Sequence, residues 1–395
     1  MNIVNESLKT ERFSYDYPFV NKYIIENGDF IPSRYGDTRE ILDFKLKITN
    51  PYFRCVGNNE RDINIFFLLA EALWIFKGEK DVEFLEIFNT KMKTFSDDGK
   101  VFHAPYGFRM RKHGVSSYDE INSTSPENNG HASQQIIDGF DQVEKALQML
   151  DENPETRRVA LQIWNAELDL GTDSVDIPCN DFVMLKIRDG KMITTIANRS
   201  NDLHWGLPTN VFQFSFVTEV MARILGVELG TQTHNSQSLH VYTSNPTTFN
   251  MYDNIQITNG KFEDLYDNAI PFKMDFNFDS IDVNLRLRQI DKMFSLVIDA
   301  CRNKTELTEK QEESVKAFSN FLYLTYELLF LYIDYKFISD RSEKAKFEKL
   351  LQIIDIAELY PPLDILALAQ NFFYSKLDNE VGEVIAEKLI QSAKL

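Results

Sequence analysis

The sequence predicts an α+β domain followed by an all-helical extension, and two observations carry that reading. Before about residue 276, short alternating segments such as Ile41–Ile48 and Val159–Trp164 are interspersed with longer apolar runs of helical length. After it, residues 284–301, 308–336, 342–358 and 363–393 read as helices with few glycines and no cluster of candidate catalytic groups. The expected units are therefore 1–275 and 276–395. A chain of 395 residues exceeds the usual single-domain size, which agrees with one large unit and a smaller one.

Taken in order, residues 1 to 30 carry no clear pattern. Ser33 to Glu40 is a polar turn containing Arg34, Gly36 and Arg39, and it leads into a half-buried strand, Ile41–Ile48, that Asn50-Pro51 ends. Asn64 to Phe76 is apolar nearly all round with Glu71 inside it. An unpaired buried carboxylate is costly, so Glu71 is expected to be hydrogen-bonded or functional. Gly78 closes this helix and a second is expected over Asp81–Phe95. Asp97-Asp98-Gly99 is a turn before Phe102-His103-Ala-Pro-Tyr106-Gly107, and residues 112 to 132 read as a long surface loop. Asp138–Asn153 is an expected helix. Glu155-Thr-Arg157-Arg158 precedes the strand Val159–Trp164.

The richest stretch runs from 176 to 210. Asp176-Ile-Pro-Cys179-Asn180 is followed by about eighteen residues of strand-like pattern, then by Asn198-Arg199-Ser200-Asn201-Asp202-Leu-His204-Trp205-Gly206-Leu-Pro208-Thr-Asn210. It gathers a thiol, a guanidinium, amides and a carboxylate at strand ends and turns. Val211–Leu225 is strongly helical and ends at Gly226, and His240-Val-Tyr242 closes a short polar strand.

Composition excludes several classes. With 43% hydrophobic residues, 31 Phe and 16 Tyr, the chain holds enough apolar side chains for a sizeable core and is not disordered. A net charge of −18 argues against general binding to nucleic acid or to an anionic membrane, so an anionic substrate would need a local set of arginines. Cys55, Cys179 and Cys301 are far apart without metal spacing, which implies free thiols in a reducing compartment and no metal site. The N-terminal residues carry no secretion-signal pattern. The most apolar window, Phe318–Ile333, contains Glu327 and is shorter than the ~20 residues of a membrane span. A cytoplasmic protein is expected.

These residues together resemble the thymidylate synthase and pyrimidine hydroxymethylase family. The resemblance rests on seven features in order: the helix Glu71-Ala-Leu-Trp74-Ile-Phe-Lys-Gly78, Tyr106-Gly107, Arg157-Arg158 before a strand, Pro178-Cys179, Arg199-Ser200-x-Asp202, Gly206-x-Pro208-x-Asn210 and His240-x-Tyr242. It covers about the first two thirds of the chain and leaves the helical tail outside. It implies a bent mixed β-sheet packed with helices, a homodimer made sheet to sheet, and 5,10-methylenetetrahydrofolate as co-substrate.

The chemistry explains these residue types. Carbon 5 of a pyrimidine is a poor nucleophile until a thiolate adds to carbon 6, which requires an accessible cysteine of lowered pKa near cationic groups. Cys179 is the expected nucleophile, with Arg199 beside it; Cys55 and Cys301 read as structural. By the resemblance, Arg34 (or Arg39 in the same turn), Arg157, Arg158, Arg199 and Ser200 bind the phosphate, Arg157 and Arg158 reaching across the dimer interface. Asn210 reads the base, favouring uracil over cytosine, and His240 and Tyr242 bind the 3′ hydroxyl. Asp202, Gly206 and Glu71 hold the folate. Glu71 moves protons, with Tyr106 in its network. No role is assigned to His103, His113 or His131.

Once the one-carbon unit is attached, hydride transfer gives a methyl group and water gives a hydroxymethyl group. Three departures from the usual synthases favour water: no tryptophan in Thr90–Ser96, Asn180 where a histidine usually follows the cysteine, and a helical tail in place of a short apolar terminus. His204-Trp205 also departs from the synthase pattern. The expected activity is hydroxymethylation of dUMP, ahead of thymidylate synthesis and of dCMP or CMP hydroxymethylation. An idle homologue serving as a binding module is the reading from a different class.

Overall fold

A computed structural model describes residues 3–33, 36–56, 63–118, 139–244, 257–258, 261–262, 269–338, 342–361 and 363–374. Its centre is a mixed eight-stranded sheet. The strands are β1 (Ser7–Thr10), β2 (Asp29–Ile31), β3 (Thr38–Ile48), β4 (Val159–Gln162), β5 (Asn180–Arg188), β6 (Lys191–Asn198), β7 (Asn201–Asp202) and β8 (Glu228–Tyr242). The spine runs β1-β3-β8-β6-β5-β4, with β2 on β3 and β7 on β8. Pairing is parallel for β1–β3, β6–β8 and β7–β8, and antiparallel elsewhere in this sheet.

The sheet changes phase midway. On β3, Phe44, Leu46 and Ile48 are buried by alternation, yet so is Ile41, one step out of register; Asp43 between them has φ 55°. Its neighbour β8 shifts at the same height, from buried Ser236 to buried Leu239. Two adjacent strands slipping together turn both inward rows at once while the pairing continues on either side.

The eighteen strand-like residues after Cys179 are two strands. Asp189 (φ 51°) and Gly190 (φ 68°) form a two-residue hairpin turn between β5 and β6, and the Asp-Gly pair that both-positive-φ turns favour was the signal for it. The strand ending at His240-x-Tyr242 is the fifteen-residue β8 rather than a short one.

The helices of this region are α1 (Phe13–Asn27), α2 (Ile65–Lys77), α3 (Val82–Phe88), α4 (Tyr106–Arg111), α5 (Gln142–Glu152), the single turn α6 (Ala166–Asp169) and α7 (Leu207–Leu225), of which α1, α4, α5 and α7 pack against the sheet. The helix expected over 81–95 breaks at Asn89, whose side chain accepts from Lys91 N and opens a 3₁₀ segment, Thr90–Phe95. Helix α7 begins before the expected Val211, because Pro208 lies in the first turn, where its missing N–H costs nothing.

Helix α2 lies at the hub. It touches α3, α4 and α7 and, from the C-terminal region, α8 (Val283–Asn303), α10 (Asn320–Ile333) and α12 (Asp364–Tyr374). Between these last lie α9 (Glu309–Phe318) and α11 (Glu343–Glu358). The single helix expected over 308–336 is divided at Ser319, whose hydroxyl accepts from Leu322 N while Asp275 accepts from Phe321 N. The expected boundary at 275/276 does not coincide with a break in the core: Phe294, Leu328 and Phe373 belong to one apolar cluster with Phe66, Leu73 and Phe216. Polar ties cross it too, from Arg111 to Asp291 (2.9 Å) and from Arg302 to Asp81 (3.0 Å). Among the described residues, no helix is long and apolar enough to cross a membrane.

Candidate active site

A cavity of about 780 Å³ opens where the C-terminal end of α2, the start of α4, the loop before β5, and the β6–α7 connection meet. Cys179 lines it. The thiol lies one residue before β5, beside a register shift in the ladder between Asn180 and Phe182, a place where a strand can turn a side chain out of the sheet. Arg199 grips the cysteine loop: its Nε donates to Pro178 O (2.8 Å), its Nη2 to Ile177 O (3.1 Å), and Nη2 lies 3.8 Å from Cys179 Sγ. The guanidinium also sits over the Trp164 ring at 5.7 Å.

The pKa of this thiol differs from expectation. Burial pushes it above the ordinary cysteine value; Arg199 pulls it down, but the carboxylates of Asp176, Asp181 and Asp202 push it up again. Burial thus favours the protonated thiol over the thiolate.

Glu71 faces the same cavity from α2. Burial raises its carboxyl pKa to about 7, opposed by Gln213 of α7, whose Nε2 donates to Glu71 Oε2 at 2.7 Å. Tyr106 caps the cavity side of α4 and is raised by burial and by the nearness of Cys179 and Asp176. Gly107 is required behind it: a Cβ there would overlap the Ile75 carbonyl of α2, so the glycine lets the Tyr106 and Glu71 helices touch.

On the opposite wall, Asn210 sits in the first turn of α7 and is only 8% exposed. Its Oδ1 accepts from Asn180 Nδ2 and its Nδ2 donates to Asn201 Oδ1, both at 3.3 Å. Asp202 caps the following turn by accepting from His204 N (2.7 Å) and pairs across β7–β8 with His240. Burial lowers the His240 pKa against the pull of Asp202 and Glu40, and its ring meets that of Tyr242 edge-on at 5.4 Å.

Of the residues singled out from sequence, Glu71, Tyr106, Cys179, Arg199, Ser200, Asp202, Gly206, Asn210, His240 and Tyr242 all line this one cavity. Arg157 and Arg158 do not; both are exposed at the start of β4. Arg34 and His131 lie outside the described residues. Arg39, the alternative to Arg34, donates to Gly28 O (3.1 Å) from within β3 and is not in the cavity wall. Cys55 and Cys301 are buried in the core.

Other lining groups had no sequence signal strong enough to single them out. Asp176 accepts from Ala104 N (2.9 Å), and burial raises its pKa to about 6. Asp169 is held by His103 (3.0 Å) and Arg109 (2.9 Å), which gives His103 a place it lacked. Trp74, Met92, Phe95 and Trp205 supply an apolar side to the cavity. A flat aromatic ring system beside hydrogen-bonding groups fits such a wall.

Comparison with known proteins decides the family. The family model described as "Thymidylate synthase" matches residues 16–313. The chain belongs to the thymidylate synthase family. Among its relatives is a protein named deoxyuridylate hydroxymethyltransferase from Bacillus phage SP01, 38% identical over 221 residues, which are 55% of this chain and 54% of that protein. A protein of the same name from Delftia phage PhiW-14 is 27% identical over 227 residues, 54% of this chain and 56% of its own. A protein named thymidylate synthase from Haloferax volcanii is 28% identical over 178 residues, 44% of this chain and 50% of its own. The chain thus spans about half the length of these curated relatives. The family match extends past residue 276 into α8 and α9, in agreement with the shared core.

Proposed function

We propose that this thymidylate synthase family member is a one-carbon transferase acting on dUMP, with 5,10-methylenetetrahydrofolate and water as co-substrates and 5-hydroxymethyl-dUMP as product. The observation that carries this reading is the meeting of Cys179, Arg199, Glu71 and Asn210 in one cavity, in a chain similar to phage proteins named for that activity.

Cys179 Sγ adds to carbon 6 of the uracil, and the resulting enolate attacks the one-carbon unit. Because the free thiol is held protonated, its proton must leave as substrate binds, with Arg199 stabilising the sulfur anion. Glu71 and Tyr106 handle the protons at the base, and the half-titrated state of a carboxyl near pKa 7 suits a group that both gives and takes one. Asn210 reads the base edge, His240 and Tyr242 bind the sugar, and Arg199 and Ser200 bind the phosphate together with Arg34. Asp202 and Gly206 hold the folate, whose rings lie along the apolar side.

Arg157 and Arg158 are proposed to complete a second subunit's phosphate site in a homodimer. Two observations favour this. Both arginines are exposed away from the chain's own cavity, and the outer face of the sheet leaves Leu42 53% and Phe182 40% exposed in the single chain.

The competing reading is thymidylate synthesis, favoured by the similarity to the Haloferax volcanii protein. Incubation with methylenetetrahydrofolate and dUMP or dCMP, side by side, separates them. The expected outcome is 5-hydroxymethyl-dUMP without the absorbance rise of dihydrofolate. Formation of dTMP with stoichiometric dihydrofolate would establish the synthase instead.

A further inference from the structure

Behind the wall that carries Asn210, four asparagine side chains run head to tail. Asn198 Nδ2 donates to Asn180 Oδ1, Asn180 Nδ2 to Asn210 Oδ1 (3.3 Å), Asn210 Nδ2 to Asn201 Oδ1 (3.3 Å), and Asn201 Nδ2 to Ser236 Oγ (3.2 Å). The fold brings them together from four elements. Asn180 and Asn198 are direct partners in the β5–β6 ladder, Asn201 lies on β7, and Asn210 is carried by α7. All four are at least nine-tenths buried, and Gly206 closes over the row, since a Cβ there would come within 3.0 Å of Asn201 Oδ1.

Every link points the same way, and this constrains Asn210. A carboxamide has an acceptor on one side and a donor on the other. Turning Asn210 alone would set its Nδ2 against the Nδ2 of Asn180 and its Oδ1 against the Oδ1 of Asn201. Buried polar groups left facing their own kind are strongly disfavoured. Asn210 can reverse only if the whole row reverses, with Ser236 donating at its end.

We infer that Asn180 and Asn201 are positioning residues that lock the Asn210 carboxamide in one orientation, and so set which pyrimidine the site accepts. This rests on the reading of Asn210 as the base-reading group. Uracil offers a donor at N3 and an acceptor at O4; cytosine offers an acceptor at N3 and a donor at its 4-amino group. Reversing the carboxamide exchanges the edge that fits one for the edge that fits the other. The row removes the adaptability that a lone asparagine would have.

Two isosteric variants push the row in opposite directions. In Asn180→Asp the carboxylate has no N–H for Asn210 Oδ1 and attracts its Nδ2, which favours the reversed row. In Asn201→Asp the carboxylate still accepts from Asn210 Nδ2, which favours the observed row. The dCMP to dUMP ratio of kcat/KM is expected to rise on the order of tenfold or more in Asn180→Asp and to stay level or fall in Asn201→Asp. Asn180→Ala, which removes the lock without adding charge, is expected to raise the ratio less and tests the inference should the buried aspartate prevent folding. Equal shifts in both aspartate variants, or none in Asn180→Asp and Asn180→Ala, would overturn it. Calorimetric binding of dUMP and dCMP is measured beside turnover. A wild type that binds dUMP without hydroxymethylating it removes the product assignment and moves the ratio test to the two calorimetric binding constants, whereas a wild type that already prefers dCMP sinks the uracil reading itself.

Discussion

Cys179→Ser is expected to lose turnover by on the order of 10⁴-fold or more, the scale seen when an enzyme loses its covalent nucleophile. A serine hydroxyl would fill the same space beside Arg199 but would not ionise in a pocket that already raises the thiol's pKa. The variant should still bind dUMP, because phosphate, sugar and base contacts come from other residues. It should form no denaturation-resistant adduct with a fluorinated dUMP and folate, whereas the wild type should. The same electrostatics give the wild type a pH signature. Since burial and three carboxylates hold the thiol above its ordinary pKa, the fraction able to react grows with pH, and kcat/KM should climb on the alkaline side of neutrality. A largely active serine variant would sink the covalent mechanism.

Glu71→Gln carries the second large effect. Loss of a positioned acid–base group costs about 10²–10⁴-fold in rate, and the loss should fall mainly on kcat because Glu71 faces the chemistry from α2. The wild-type inflection near pH 7 should disappear with it. Stability gives an independent reading with a definite sign. Below the unfolded carboxyl's pKa both states are protonated and the group contributes nothing. Between that value and about 7 the folded protein keeps a proton that the unfolded chain has released. Stability therefore falls as pH rises through this window and levels off above it. The glutamine variant should lack this decline in thermal denaturation across the pH range and be the more stable protein at high pH. An unchanged pH profile in both assays would show that Glu71 does not titrate as its burial implies.

Most of the site was legible in the sequence because it is local. Pro178-Cys179, Arg199 to Asn210 and His240-x-Tyr242 are short runs whose residue types already state their chemistry, and the fold delivers them to one cavity. What escaped was set by distance. Gln213 reads as one more position in an apolar helix until α7 is laid against α2. Asp176 looks like a loop residue until Ala104 donates to it. The Cys179 thiol could not be given the right pKa direction because the largest influence on it is burial, which only the folded chain reveals, while the single cation, Arg199, was conspicuous. The same held for the fold. The alternation of β3 was readable, but not the matching slip in β8, and the helical tail looked detached because few polar motifs link it to the rest. Its attachment is largely apolar, and apolar side chains carry no address in sequence.

That attachment has a consequence for energetics. The Phe66 ring of α2 stacks on Tyr332 at 5.0 Å and meets Phe372 and Phe373 at 5.2 and 5.8 Å, so the far face of the Glu71 helix is the floor on which α10 and α12 rest. Helices that share one apolar cluster tend to open together as a cooperative unit, and a ligand that binds only the closed form adds its binding energy to that unit. Occupying the nucleotide cavity should therefore slow amide hydrogen exchange in α12, a helix with no residue in the cavity wall, about as much as in α2. The terminal helices would then act as a thermodynamic extension of the active site, reporting through their own opening whether the nucleotide is bound.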